Sequence, residues 1–256
     1  MTDTQLIDTR TDQDALPSEM QRGAIAMDEE ERTAVEYDEW IDKKRNLVSS
    51  WMRFMLSPAA TFFHNTQAWK LVPSLGIGPN DRVLDIGCGY GSLLIYLQKQ
   101  VRFQTALDGI DISPHMVSHA EKEIRKRRLD GTITVRQGKA TMLPYEDGAF
   151  DIVLSTYVIK HLSDDSLLRL LHEVKRVLRP GGRFCFWEVG TSSLPLFTAL
   201  YRKILSGEVS TVNLRSWRTI STMLRDVGFE SIVPFGHGFY FLCPTMPRVG
   251  FIATKG

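Results

Sequence analysis

Three glycines at alternate positions, Gly87, Gly89 and Gly91, follow directly on the apolar run Val83-Leu84-Asp85-Ile86. The segment Ser92-Leu93-Leu94-Ile95-Tyr96-Leu97 comes next, so the pattern is strand, tight turn, helix. Glycine suits a turn this tight, where a ligand must lie against the backbone. The helix that follows points its first N–H groups, and the positive end of its dipole, at an anionic group in the turn. Asp111 ends a second apolar run, 20 residues beyond Gly91. A carboxylate there can accept both ribose hydroxyls of a bound nucleoside. It can equally cap a helix starting near Pro114, and the local sequence leaves both readings open.

The elements that must position these residues recur through the chain. Strands are expected over residues 82–86, 106–112, 133–135, 150–155 and 183–189, with helices over 114–128 and from Ser163 to the Pro180-Gly181-Gly182 turn. Leu167, Leu170, Leu171, Val174 and Leu178 form one apolar face of the latter. Strands alternating with helices at this spacing predict a Rossmann-like, doubly wound α/β fold. The C-terminal part changes character. A helix over 216–227 precedes two strands, 229–233 and 248–254, joined by an aromatic loop over 235–241. Adjacent strands with so short a link run antiparallel, which predicts a mostly parallel seven-stranded sheet whose last strand is reversed.

Length and composition bound the remaining possibilities. At 256 residues the chain suits one α/β domain with additions. With 43% hydrophobic and 24% charged residues it reads as an ordinary globular protein. A net charge of +1 argues against a nucleic-acid partner, and the Arg125–Arg128 cluster, with Glu121 and Glu123 interleaved among its neighbours, reads as a solvated helix face. Cys88, Cys185 and Cys243 lie far apart without metal-ligand spacing, so reduced thiols, no metal and a cytoplasmic location are expected. No run approaches the roughly 18 apolar residues of a membrane span.

Residues 1–25 are polar and aperiodic, and disorder is expected there. Residues 26–78 form a helical extension: Asp28 with Glu29, Glu30 and Glu31 starts a helix, and Leu47, Val48, Trp51, Phe54 and Met55 share a face. The extension is a lid over the site or packing against the sheet, with weak peripheral membrane association as a third reading. Residues 79–256 form the main domain, with a substrate-region insert at about residues 190–215.

Taken together, Val83 to Gly91, Gly109-Ile110-Asp111-Ile112-Ser113, Leu143-Pro144-Tyr145, Phe150-Asp151-Ile152-Val153 and Val177-Leu178-Arg179-Pro180-Gly181-Gly182 resemble the class I S-adenosylmethionine-dependent methyltransferases. The likeness is to the small-molecule branch that includes ubiquinone and menaquinone biosynthesis enzymes, and it spans residues 82–189. It implies that Asp85 and the backbone of Gly87 and Gly89 meet the methionine part of the cofactor S-adenosyl-L-methionine, whose ammonium needs an acceptor and whose carboxylate needs N–H donors, with Cys88 and Gly91 also binding the cofactor. It implies further that Asp111 holds the ribose, that Ile112, Lys139 and Ala140 flank the adenine, and that Ser155 lines the site. Lys139 departs from the pattern, which has an acid there. A lysine cannot accept from the adenine amino group, so backbone carbonyls are expected to do so while Lys139 points to solvent.

A nicotinamide-dependent oxidoreductase fits less well, because the spacing is Gly-x-Gly-x-Gly and Asp85 would repel a pyrophosphate. A non-catalytic cofactor-binding partner or regulator stays open. Methyl transfer to a small apolar or aromatic acceptor, at oxygen or carbon, needs alignment above all and gains from a base. His161, just past the fourth strand, and Glu188, at the end of the fifth, are the candidates, with Tyr157 lining the same region.

Overall fold

The computed structural model describes residues 27–43, 68–191, 196, 199, 212–236, 238–240 and 243–256. The expected disordered tail, the Leu47–Met55 stripe and most of the 190–215 insert lie outside the described residues.

Among the described residues two helices precede the sheet, α1 (Glu29–Lys43) and α2 (Ala68–Leu75). The alternating part follows as β1 (Val83–Ile86), α3 (Ser92–Val101), β2 (Leu107–Asp111), α4 (Pro114–Lys126), β3 (Ile133–Gln137), β4 (Phe150–Thr156), α5 (Asp164–Val177) and β5 (Leu178–Val189). It closes with α6 (Trp217–Asp226), β6 (Phe229–Pro234), β7 (Gly238–Tyr240) and β8 (Cys243–Lys255). Seven strands run in the order β3-β2-β1-β4-β5-β8-β6. The first five pair parallel, and β8 is antiparallel to both β5 and β6. The reversed last strand is therefore inserted between parallel neighbours, as the sequence predicts. The aromatic loop before it holds a short eighth strand, β7, which pairs with β8.

Side-chain alternation explains why both faces are covered. Along β1, Leu84 and Ile86 join one core with α5 and α6, while Val83 joins a second with α2, α3 and α4. In β5, Phe184 and Phe186 face the first core, Cys185 and Trp187 the second. Period-two alternation with both sets apolar is the signature of a sheet buried on each side. The helices begin where short polar side chains satisfy the first N–H groups. Ser113, Ser163 and Ser216 accept from Met116, Ser166 and Thr219 at the starts of α4, α5 and α6. Each such cap contributes about 1 kcal/mol. In α2 the buried face is Ala68, Leu71 and Leu75, and Trp69 is exposed.

The strand order matters for function because β1 sends the chain to β2 on one side while β4 lies on the other. Such a switch point leaves a crevice outside the carboxyl ends of the strands. The glycine turn, Asp111, Ser155 and the turn holding His161 all gather at that edge.

Candidate active site

The turn after β1 is fastened to β2 by its own backbone. Gly87 and Cys88 donate their N–H groups to the Ile110 carbonyl at 2.7 and 3.1 Å, and Gly89 donates to the Asp111 carboxylate at 2.8 Å. This corrects one expectation: the N–H groups of Gly87 and Gly89 are held inside the protein rather than offered to a ligand carboxylate. The start of α3 comes next, where the N-cap Gly91 is left-handed and supplies no capping side chain. Gly87 has φ +70, and a Cβ there would lie 2.1 Å from the Val158 Cγ2. Its glycine is required by the β4 loop that packs on it. Gly89, φ +51, would meet nothing within 4 Å, so its open side faces the crevice. Cys88 also departs from expectation. Its buried thiol points into the packing between β2 and α3, 2.9 Å from where a Cβ on Gly109 would stand, and burial pushes its pKa well up.

Two buried acids dominate the crevice. Asp111 accepts from Gly89 and, at 3.0 Å, from the Ser113 N–H. Burial raises its pKa to about 6 against the opposing pull of those two donors, and Asp38 adds to the rise. A carboxylate has about four acceptor sites, so each Asp111 oxygen retains one. Asp85 is 1% exposed, and its Oδ1 finds no hydrogen-bond partner among the described residues. Burial, and next the charge of Asp111, hold its pKa well above the ordinary range. The buried Ser155 hydroxyl, paired in register with Ile86 across β1 and β4, is likewise unpartnered. Ile112 is partly buried beside Asp111, and its carbonyl accepts from Gln137 Nε2 at 3.1 Å.

On the far side of the crevice, His161 sits in a 3₁₀ turn (Ile159–His161) after β4. Its Nδ1 is buried without a partner among the described residues, and the Tyr37 ring meets it edge-on at 6.0 Å. Burial, then the neighbouring Lys160 charge, keep the imidazole neutral well below its usual pKa. Glu188 is different. One oxygen accepts from Val189 N at 2.7 Å and lies 3.4 Å from Lys160 Nζ, and the other accepts the Lys160 N–H at 3.3 Å. A buried ammonium requires such a counter-charge. The structure thus corrects Glu188 from an available base to the partner of Lys160. That lysine also donates to the Tyr157 carbonyl. Tyr157 itself has a positive φ of 61, a strained conformation found at functional sites.

The fourth expectation to change is Lys139. It does not face solvent alone but pairs with Asp28 and with Glu31 (2.7 Å to the latter), which bring α1 onto the loop after β3. Beside it the Ala140 N–H donates to Glu30 Oε2 at 2.8 Å, and the Thr141 N–H to Glu30 Oε1 at 3.2 Å. Glu29 accepts from Ser163 and Ser166, and Asp38 from Ser113. Sequence reasoning took the acids of α1 as first-turn charge and so missed these contacts.

The crevice fits the cofactor implied by the sequence. Asp85 has a lone pair for an ammonium, Asp111 has one for each ribose hydroxyl, and the Gly89 side is clear. The fold and these acids are those expected of an S-adenosylmethionine-binding enzyme of the Rossmann-like class. Residues 83–182 match a family model described as a methyltransferase domain. A demethylmenaquinone methyltransferase of Alkalihalophilus pseudofirmus is 25% identical over 72% of this chain and 86% of its own length. The ubiquinone/menaquinone biosynthesis C-methyltransferase UbiE of Bdellovibrio bacteriovorus is 36% identical, over 54% of this chain and 57% of that protein. Geranyl diphosphate C-methyltransferase from Streptomyces coelicolor A3(2), solved with Mg2+, geranyl diphosphate and S-adenosyl-L-homocysteine, superposes with a TM-score of 0.61. It covers 75% of this chain and 79% of that one, and at 18% identity the likeness is one of fold. The chain is a class I S-adenosylmethionine-dependent methyltransferase acting on a small molecule.

Proposed function

We propose that the acceptor is an apolar, aromatic molecule with an ionisable hydroxyl or an acidic ring carbon, methylated at oxygen or carbon. The observation that carries this reading is the neutral imidazole of His161 in the turn after β4, whose buried Nδ1 has no partner among the described residues. A group in that state can take a proton from the acceptor as it becomes nucleophilic. Aromatic residues stand at the same strand ends, with Trp187 and Phe235 packed in the core beneath them. Tyr157 donates its N–H to the Trp187 carbonyl at 3.1 Å, and the Trp187 ring lies 5.8 Å from that of Phe235. The names of the quinone-pathway relatives agree with such a substrate.

When bound, S-adenosylmethionine supplies a methyl group already activated on a sulfonium. The chain's own part is to fix and orient. Asp85 holds the ammonium, Asp111 the ribose, the start of α3 the carboxylate, and Ser155 offers a hydroxyl beside them. Ile112 and Ala140 flank the base. Alignment of two bound reactants supplies most of the acceleration in such a transfer. We place the enzyme in the cytoplasm; among the described residues no helix is long and apolar enough to cross a membrane. Helix α1 acts as a cover for the crevice, a reading supported by its ties to the crevice loops.

The test is calorimetric titration with S-adenosylhomocysteine against NAD, followed by transfer of labelled methyl to isoprenoid hydroquinones and simple phenols. Binding of the first nucleotide and label in an organic-soluble aromatic product are expected. Binding of NAD alone would overturn the cofactor, and binding without transfer to any acceptor would favour a non-catalytic partner.

A further inference from the structure

Helix α1 and the residue before it are tied across the carboxyl edge of the sheet by carboxylates on three loops. Asp28 and Glu31 hold Lys139, Glu29 holds Ser163 and Ser166, and Asp38 holds Ser113. Those contacts suffice to anchor the helix. Glu30 is not needed for that purpose, yet it is the buried acid of the group, at 6% exposure. Its oxygens accept from the backbone of Ala140 and Thr141 and from the Thr141 hydroxyl. Taking a carboxylate out of water is unfavourable unless its acceptor sites are used. Three of about four are in use.

The carboxylate sits against the loop after β3, and the strand order says what part of the cofactor reaches that loop. The ammonium-binding acid is on β1 and the ribose-binding acid ends β2, so the cofactor runs along the sheet edge toward β3. Neighbouring strands lie about 4.8 Å apart, and the base therefore arrives at the loop after β3, residues 138–141. An adenine presents an amino group that needs an acceptor. The side chain at 139 is a lysine engaged with Asp28 and Glu31, and it has no lone pair to offer.

We infer that Glu30 supplies that acceptor: its carboxylate, delivered from α1 and oriented by Ala140 and Thr141, receives a hydrogen bond from the 6-amino group of the cofactor's adenine. This rests on the S-adenosylmethionine reading above. The helix is then part of the nucleoside site, and the ion pairs of Lys139 set the register that brings Glu30 to the base.

Affinities for S-adenosylhomocysteine and for its 6-oxo counterpart, S-inosylhomocysteine, test the assignment by calorimetry. The wild type should prefer the amino form by tenfold or more. In Glu30→Gln the amide presents an N–H where the carboxylate presented a lone pair, so the preference should fall at least tenfold or reverse. Glu30→Ala, with neither donor nor acceptor, should bind the two alike. A preference unchanged in both variants overturns the assignment, because a merely structural Glu30 would weaken both ligands equally. Tighter binding of both ligands by Glu30→Ala also overturns it, since Glu30 would then occupy the place of the base. A wild type that binds neither nucleoside overturns the cofactor reading and this inference together.

Discussion

The backbone N–H of Gly89 donates to the carboxylate of Asp111 across 2.8 Å, joining the glycine turn of β1 to the end of β2. The bond orients the acid before any ligand arrives, with the Ser113 N–H fixing its other oxygen. Preorganisation of this kind removes ordering that binding would otherwise require. It also leaves a charge in a buried place, and the raised pKa of Asp111 records the conflict.

That conflict predicts a pH dependence. In the empty protein Asp111 titrates at about 6, against an ordinary value of 3.8. Between these values the folded chain keeps a proton the unfolded chain has released, so this group's contribution to stability declines as pH rises toward 6. Ribose hydroxyls donate to the ionised form. S-adenosylhomocysteine affinity should therefore be level above pH 6 and fall on the order of tenfold per unit below it. Asp111→Asn should weaken binding and flatten this profile. Calorimetry from pH 5 to 8 checks both, and an unchanged slope in the variant would remove Asp111 from the ribose.

Asp85 should show a trade between stability and binding. Its Oδ1 has no partner among the described residues and its pKa is raised, so burial goes uncompensated by them in the ligand-free state. Asp85→Asn removes the ionisable group at nearly constant volume. The ligand-free variant should be stabilised by about 1 kcal/mol or more while losing at least tenfold in S-adenosylhomocysteine affinity. Thermal melts with and without ligand measure both effects. A variant that is less stable when empty would show that the Asp85 charge supports the fold itself.

Asp111 was legible because its evidence is local: an acid at a fixed distance from a glycine turn, at the end of an apolar run. The same holds for α5, where Ser163 and the apolar spacing define start and face, and for the reversed last strand. Pairings distant in the chain leave no such trace. Glu30 reads as ordinary first-turn charge, and only the fold brings it to Ala140 and Thr141. Glu188 reads as a polar strand end until Lys160 is seen beside it, and the lysine itself is masked by the more conspicuous His161. Cys88 could be placed in the turn, but which way its thiol points depends on Gly109 and Leu94 across the β2–α3 packing.

His161 carries the last prediction. The base must be neutral to accept a proton, and burial together with the Lys160 charge depresses its pKa well below 6.5. The folded imidazole therefore remains competent through the whole neutral range, and the acid limb of the kcat profile should lie well below 6.5. The same depression makes protonation unfavourable to folding: an unfolded histidine takes up its proton near 6.5, and stability drops as pH falls below that value. His161→Gln keeps a polar group of similar reach but has no basic nitrogen. Turnover should fall by roughly 10²–10⁴, the acid limb should disappear, and S-adenosylhomocysteine should bind as before. Equal turnover in the variant would mean that the acceptor gives up its proton elsewhere, and a matching loss of ligand affinity would make His161 a positioning residue for the 3₁₀ turn.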